Sequence, residues 1–275
     1  MALNFLFYST IFIFGLTTGS FLNSIIYRLQ AGEGFLLAPL KSRGDFFSGF
    51  QRSYCPHCKR TLSWQDLIPL FSFLFLKGKC RYCQKKISWQ YPLVEIATAM
   101  LFLLILNSQF SIPNSQFLDF IYLLVISCML IIIFVYDLKH YIIPDKIIYP
   151  AIALALIYNF YQFAINNQQL AMSNFLAAIF ASAFFFSVVL ISKGRWMGWG
   201  DPKLVFFMGL LLGFSNILVA LFIAFLFGAI IGIGLIIFRK KTFKSEVPFG
   251  PFLITGTLIA LFWGKEIINW YLHLL

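Results

Sequence analysis

Two aspartates and four cysteines are the residues in this 275-residue chain whose types and spacing could do chemistry. Asp201 lies in Gly198-Trp199-Gly200-Asp201-Pro202-Lys203, at the mouth of a long apolar run, and Asp137 closes another at Ile131-Ile132-Ile133-Phe134-Val135-Tyr136-Asp137. A charged carboxylate at the centre of a membrane helix costs about 2.5–3.5 kcal/mol, and less near the interface. A chain with only ten acids is therefore expected to use two that it places this way. Brought together, two carboxylates share one proton and titrate as a pair. One acid then polarises a peptide carbonyl while the other, ionised, takes a proton from water, which is peptide hydrolysis without a metal or a covalent intermediate. A second reading stays open at Asp201. The glycines would let the chain re-enter the membrane, and the acid would cap the next helix. Asp145, in Ile142-Ile143-Pro144-Asp145-Lys146, competes for the partner role but reads better as an acid at a helix start. Asp45 and Asp66 fall in a loop and Asp119 opens a span on the opposite side, so none of these is placed to join Asp201.

The cysteines form two pairs. Cys55-Pro56-His57-Cys58 is followed, after twenty-one residues, by Cys80-Arg81-Tyr82-Cys83. Two such knuckles supply four thiolates for a tetrahedral Zn²⁺, and Lys59, Arg60, Lys79 and Arg81 beside them favour the thiolate form. Disulfides are the alternative, disfavoured if the loop is cytosolic. Four sulphurs complete a structural site, so His57 is not needed as a ligand. Cys128 sits alone in an apolar span and reads as packing.

The elements that must hold these groups are membrane helices. The chain is 60% hydrophobic and 11% charged, whereas soluble domains carry about 25% charged residues. Apolar runs fall at about 4–26, 92–110, 117–137, 147–165, 173–192, 202–213, 216–238 and 251–272. Residues 204–238 are apolar almost throughout. That is too long for one crossing of about 30 Å at roughly 1.5 Å per residue, so a break is expected at Gly213-Phe214-Ser215-Asn216.

Charge supports this count. Residues 28–92 hold eleven Lys and Arg against three acids, so much of the net charge of +11 sits in one loop. The positive-inside rule explains that better than nucleic-acid binding, and the same charges attract anionic lipid headgroups. With this loop inside, eight spans put Lys139 and Lys146, Lys193 and Arg195, and the Arg239–Lys244 cluster all inside, and both termini outside. Asp137 and Asp201 then share the cytoplasmic face. No Lys or Arg precedes Arg28, so the first apolar run is expected to be a retained span rather than a cleaved signal.

Taken in order, the motifs resemble the type IV prepilin leader peptidase family. The matching segments are Gly19-Ser20-Phe21-Leu22-Asn23 with Tyr27-Arg28, the two knuckles, Trp64, Ile68-Pro69-Leu70, and Tyr91-Pro92-Leu93-Val94-Glu95. Further along come Asp137-Leu138-Lys139 leading to Ile143-Pro144-Asp145, then Gly198-Trp199-Gly200-Asp201-Pro202-Lys203-Leu204, and Pro248-Phe249-Gly250-Pro251-Phe252-Leu253. Pro202 departs from many relatives but is tolerated at a helix start. The resemblance implies an aspartic endopeptidase with Asp137 and Asp201 catalytic. It would cut a short basic leader from prepilins and type II secretion pseudopilins on the cytoplasmic side, after Gly and usually before Phe. It also implies N-methylation of the new terminus with S-adenosylmethionine. No glycine-rich nucleotide motif is visible, so the donor's site is unknown. Glu95 reads either as an interface carboxylate paired with loop cations or as a group near the methylation site.

The expected fold is an all-α polytopic membrane protein of about eight transmembrane helices with a cytoplasmic zinc-binding loop. Residues 1–27 would form the first span, 28–91 the loop and 92–275 a seven-span catalytic domain. The expected location is the bacterial inner membrane, with the active site facing the cytoplasm. Two rivals are a transporter with acids on an ion path, and a zinc-containing membrane methyltransferase without protease activity. The first would need acids deeper in the spans.

Overall fold

The computed structural model describes residues 2–31, 53–110, 117–165, 168–237 and 247–274. The long helices are α1 (Ala2–Gln30), α3 (Gln90–Phe110), α4 (Phe117–His140), α5 (Asp145–Ala164), α6 (Gln168–Ser192), α7 (Asp201–Ile237) and α8 (Gly250–Leu274). The connection between α1 and α3 adds a 3₁₀ turn at Trp64–Leu67 and the short α2 (Phe71–Phe75). Among the described residues seven helices are long and apolar enough to cross a membrane. Among the described residues the only β pairing is two isolated bridges, Tyr54 with Thr61 and Lys79 with Lys86. The fold is all-helical, as expected. Asp45 and the Arg239–Lys244 cluster lie outside the described residues.

The chain forms two compact units, Met1–Ile132 and Ile133–Leu275. In the first, α1 packs on α3 through small residues. A Cβ built on Gly15 would stand 2.5 Å from the Ala99 Cα, and one on Gly19 would stand 2.7 Å from the Glu95 Cα. Two glycines four residues apart give a helix face on which another backbone can approach closely, the usual device where lipid provides no hydrophobic drive between helices. The pair is also stitched by polar groups. The buried Asn23 Nδ2 donates to the Tyr91 carbonyl at 3.0 Å, and Gln90 Nε2 donates to Asn23 Oδ1 at 3.3 Å.

In the second unit the decisive feature is Gly213. It divides the 37-residue α7, with φ 73° and ψ −179°, a region open in practice only to glycine. The neighbours on α6 show that the chain reverses there. Gly209 lies against the Ala178 backbone, Phe214 N–H donates to Ser173 Oγ at 3.3 Å, and the Phe225 ring then lies 6.1 Å from Phe185. The first limb descends α6 and the second climbs back. In an unbroken helix Phe214 N–H would bond to the Leu210 carbonyl. The reversal orphans both groups and side chains replace the lost bond. Ser173 takes the N–H, and Asn159 Nδ2 donates to the Leu210 carbonyl at 3.0 Å. Asn174 Nδ2 holds Asn159 Oδ1 at 2.8 Å. In a membrane such groups have no water to turn to, so buried amides at this bend are a requirement of the turn.

The break expected at residues 213–216 is therefore present, and counting both limbs gives eight helical segments. The first limb, Asp201 to Gly213, is only thirteen residues, or about 20 Å long. It is shorter than a full crossing.

Candidate active site and candidate metal centre

Asp137 lies near the end of α4, which continues to His140, so the acid stands on the flank of a completed turn and not at the helix terminus. Its carboxylate is buried at 4% exposure and accepts the Gly250 backbone N–H from the first residue of α8. A Cβ built on Gly250 would run into the Asp137 carboxylate. Position 250 is glycine because this approach leaves no room for a side chain.

Asp201 is the first residue of α7, buried at 8% exposure, and its Oδ2 accepts the Gly198 N–H at 3.1 Å. The Trp199 ring packs 6.0 Å from Phe186, six residues before α6 ends at Ser192. The start of α7 is thus set back roughly 9 Å from the end of α6, which accounts for both the short limb and the burial of its acid. A Cβ on Gly200 would stand 2.9 Å from the Ile143 Cβ, so the segment after α4 walls this turn.

Asp137 and Asp201 belong to the same unit, and the Asp137 carboxylate is near enough to act electrostatically on Asp201. Each is held by one backbone N–H, which fixes its orientation and leaves carboxylate lone pairs free for water or a substrate. Asp145 is not brought in. It opens α5, and its Oδ1 accepts Lys203 Nζ at 2.7 Å with the side chain 61% exposed. Lys203 also lies over the Tyr149 ring at 4.9 Å.

In the first unit the four knuckle sulphurs of Cys55, Cys58, Cys80 and Cys83 all lie within 4.8 Å of one another, with Cys55 and Cys83 3.9 Å apart. None of the four is in a disulfide. A tetrahedral Zn²⁺ with bonds of about 2.3 Å would space its sulphurs by roughly 3.8 Å, so the thiols fit such an ion. The knuckles repeat one backbone scheme. Cys55 N–H donates to Arg60 O and Lys59 N–H to Cys55 O, while Cys80 N–H donates to Lys85 O and Gln84 N–H to Cys80 O, all between 2.8 and 3.0 Å.

Asp66 ties the knuckles together. It accepts the Ser63 N–H and hydroxyl at 3.1 and 2.8 Å and Arg81 Nε at 2.7 Å. Burial works to raise its pKa, but the bonds from Ser63 and Arg81 outweigh this and hold the carboxyl below its ordinary value.

Glu95 is buried at 6% exposure, and its Oε2 accepts the Leu70 N–H at 2.9 Å. The Ser20 hydroxyl also bonds this carboxylate. Among the described residues these partners are neutral donors.

The backbone donors Gly198 and Gly250 and the Asp66 latch were missed from sequence. A glycine opening an apolar helix was the one available signal, and it does not say which acid it faces.

Comparison with known proteins supports the same reading. Residues 13–109 match the bacterial Peptidase A24 N-terminal domain, and residues 124–233 match the Type IV leader peptidase family. A prepilin leader peptidase/N-methyltransferase of Aeromonas hydrophila is 30% identical over 98% of this chain and 95% of its own length. The protein of that name from Legionella pneumophila is 33% identical over 96% and 94%, and that from Bacillus subtilis (strain 168) 32% over 97% and 98%. No solved structure matches significantly. With this identity over nearly its whole length, the chain belongs to the prepilin leader peptidase/N-methyltransferase family.

Proposed function

We propose that this enzyme removes the leader from type IV prepilins and type II secretion pseudopilins by aspartic catalysis. The bond would be cut at the cytoplasmic face of the bacterial inner membrane, and the new N-terminus would then be methylated. The observation that carries the catalytic assignment is the pairing of Asp137 with Asp201, both buried and each aimed by a backbone N–H.

In the proposed reaction the ionised acid takes a proton from water as the water oxygen adds to the scissile carbonyl carbon. The protonated acid gives its proton to the carbonyl oxygen. On collapse the C–N bond breaks, the leaving amine takes up a proton from the pair and one hydroxyl of the tetrahedral intermediate returns its proton to the pair as it becomes the new carbonyl, so the dyad finishes with the single shared proton it began with. Cys55, Cys58, Cys80 and Cys83 would hold a structural Zn²⁺ that ties the two knuckles and takes no part in this step. S-adenosylmethionine would supply the methyl group. The described residues contain no strand–turn–helix nucleotide cradle, and no residue is assigned to the donor.

The test is co-expression with a prepilin and measurement of leader loss. Asp137→Asn and Asp201→Asn are each expected to lower cleavage by about 10²–10⁴-fold. Asp145→Asn is expected to retain it, because that acid is engaged with Lys203 at an exposed position. Near-normal cleavage in either of the first two variants would sink the dyad.

A further inference from the structure

The connection between α1 and α3 carries an apolar surface that neither the catalytic reading nor the metal centre uses. Trp64 is 73% exposed, Leu74 68%, Phe75 82% and Trp89 70%, with Leu67 and Phe71 beside them also exposed. Six large apolar side chains facing outward within twenty-six residues of one connection are unlike a solvated loop, in which exposed hydrophobes are scattered singly.

The depth of this surface can be read from α3. Leu70 N–H is bonded to Glu95 Oε2, and Glu95 stands five residues inside a helix that begins at Gln90. Five residues are about 7 Å of helix. The backbone at Leu70 is therefore level with the opening turns of a segment, Gln90–Ser108, that is apolar enough to span a bilayer. Leu70 adopts φ 60°, uncommon for a residue with a side chain, and the buried carboxylate holds it there. The Phe73 ring packs 5.0 Å from Trp89, the residue that leads into α3, so α2 is fastened at the same level from a second side. Lys77, Lys79, Lys85 and Lys86 of the same connection are all exposed. Aromatic side chains near the level of a span's end, in a segment that also carries exposed lysines, are the pattern of a segment lying in the headgroup region of an anionic leaflet.

We infer that Trp64–Phe75, with Trp89, is an interfacial membrane anchor, inserted into the leaflet on the loop's side of the membrane. The anchor seats the zinc knuckles directly on the bilayer surface. The loop is then a membrane-bound structure held by α1, α3 and its own apolar face, not a soluble domain tethered between two spans. A partner protein or a second copy of the chain could cover an apolar face of this size. The bilayer is favoured because the face is continuous with the start of a spanning helix and sits at its depth.

The test uses the full chain in nanodiscs of phosphatidylcholine and phosphatidylglycerol, with Phe75→p-benzoylphenylalanine and, separately, Leu74→p-benzoylphenylalanine. Both positions are so exposed that the photoreactive group should fit without repacking. Each variant is first shown to share the melting temperature and elution of the parent. After irradiation both are expected to gain the mass of one phospholipid. A folded variant that gains no lipid at either position, or that crosslinks to a second chain instead, overturns the anchor.

Discussion

At the scale of single residues, the site depends on how two acids are held. Asp137 and Asp201 each accept one backbone N–H, and in both cases the donor is a glycine. Gly250 is the more demanding of the two, since a methyl group there would meet the Asp137 carboxylate. Gly250→Ala should therefore displace that carboxylate or the start of α8 while leaving both acids present. A shift of about 1 Å in a reacting group can cost on the order of 100-fold in rate. Cleavage by Gly250→Ala should fall by roughly 10- to 100-fold with the protein still folded, as measured by leader loss against thermal stability. Unchanged cleavage would mean that the position of the Asp137 carboxylate is not critical.

Among the elements, α7 carries the greatest constraint. An apolar stretch of this length can cross the membrane once with a long overhang or turn back within it. The choice falls to Gly213, helped by Ser173, Asn159 and Asn174, which satisfy the groups that the turn exposes. A Cβ at position 213 would stand 2.6 Å from Asn174 Oδ1 in a backbone conformation closed to L residues. Gly213→Ala is expected to cost about 2–4 kcal/mol from strain and overpacking together, seen as a lowered melting temperature in detergent. A variant as stable as the parent would show that the reversal does not require this backbone geometry.

For the whole molecule, the question is which face of the membrane receives each loop. By the positive-inside rule the basic loop between the first two spans would lie inside, and the reversal at Gly213 returns the chain after α7 to the side on which that helix began. A reporter inserted after Lys244 should therefore read as cytoplasmic, on the same side as one inserted near Lys193. An external reading would break the eight-segment topology and separate Asp201 from the cytoplasmic face.

By itself the sequence determined a good deal. Its composition made the protein a membrane protein. The Cys-x-x-Cys spacing grouped the four thiols, because a tight turn already places two sulphurs on one side. Residues 204–238 signalled their own break, because no single crossing needs so many apolar residues. Asp137 and Asp201 stood out because acids at the ends of apolar runs are costly. Each of these inferences rests on local chemistry or on length. Only the tertiary structure decided which partners lie across the chain. It gave Asp145 to Lys203 and Asp137 to the Gly250 amide, and it gave the Leu70 amide to Glu95. It also set Asp201 about 9 Å back from the end of α6, where the shortness of one limb buries the acid. Backbone donors are the same in every residue but proline and leave little mark in a sequence. Which acid receives one depends on how helices distant along the chain are packed.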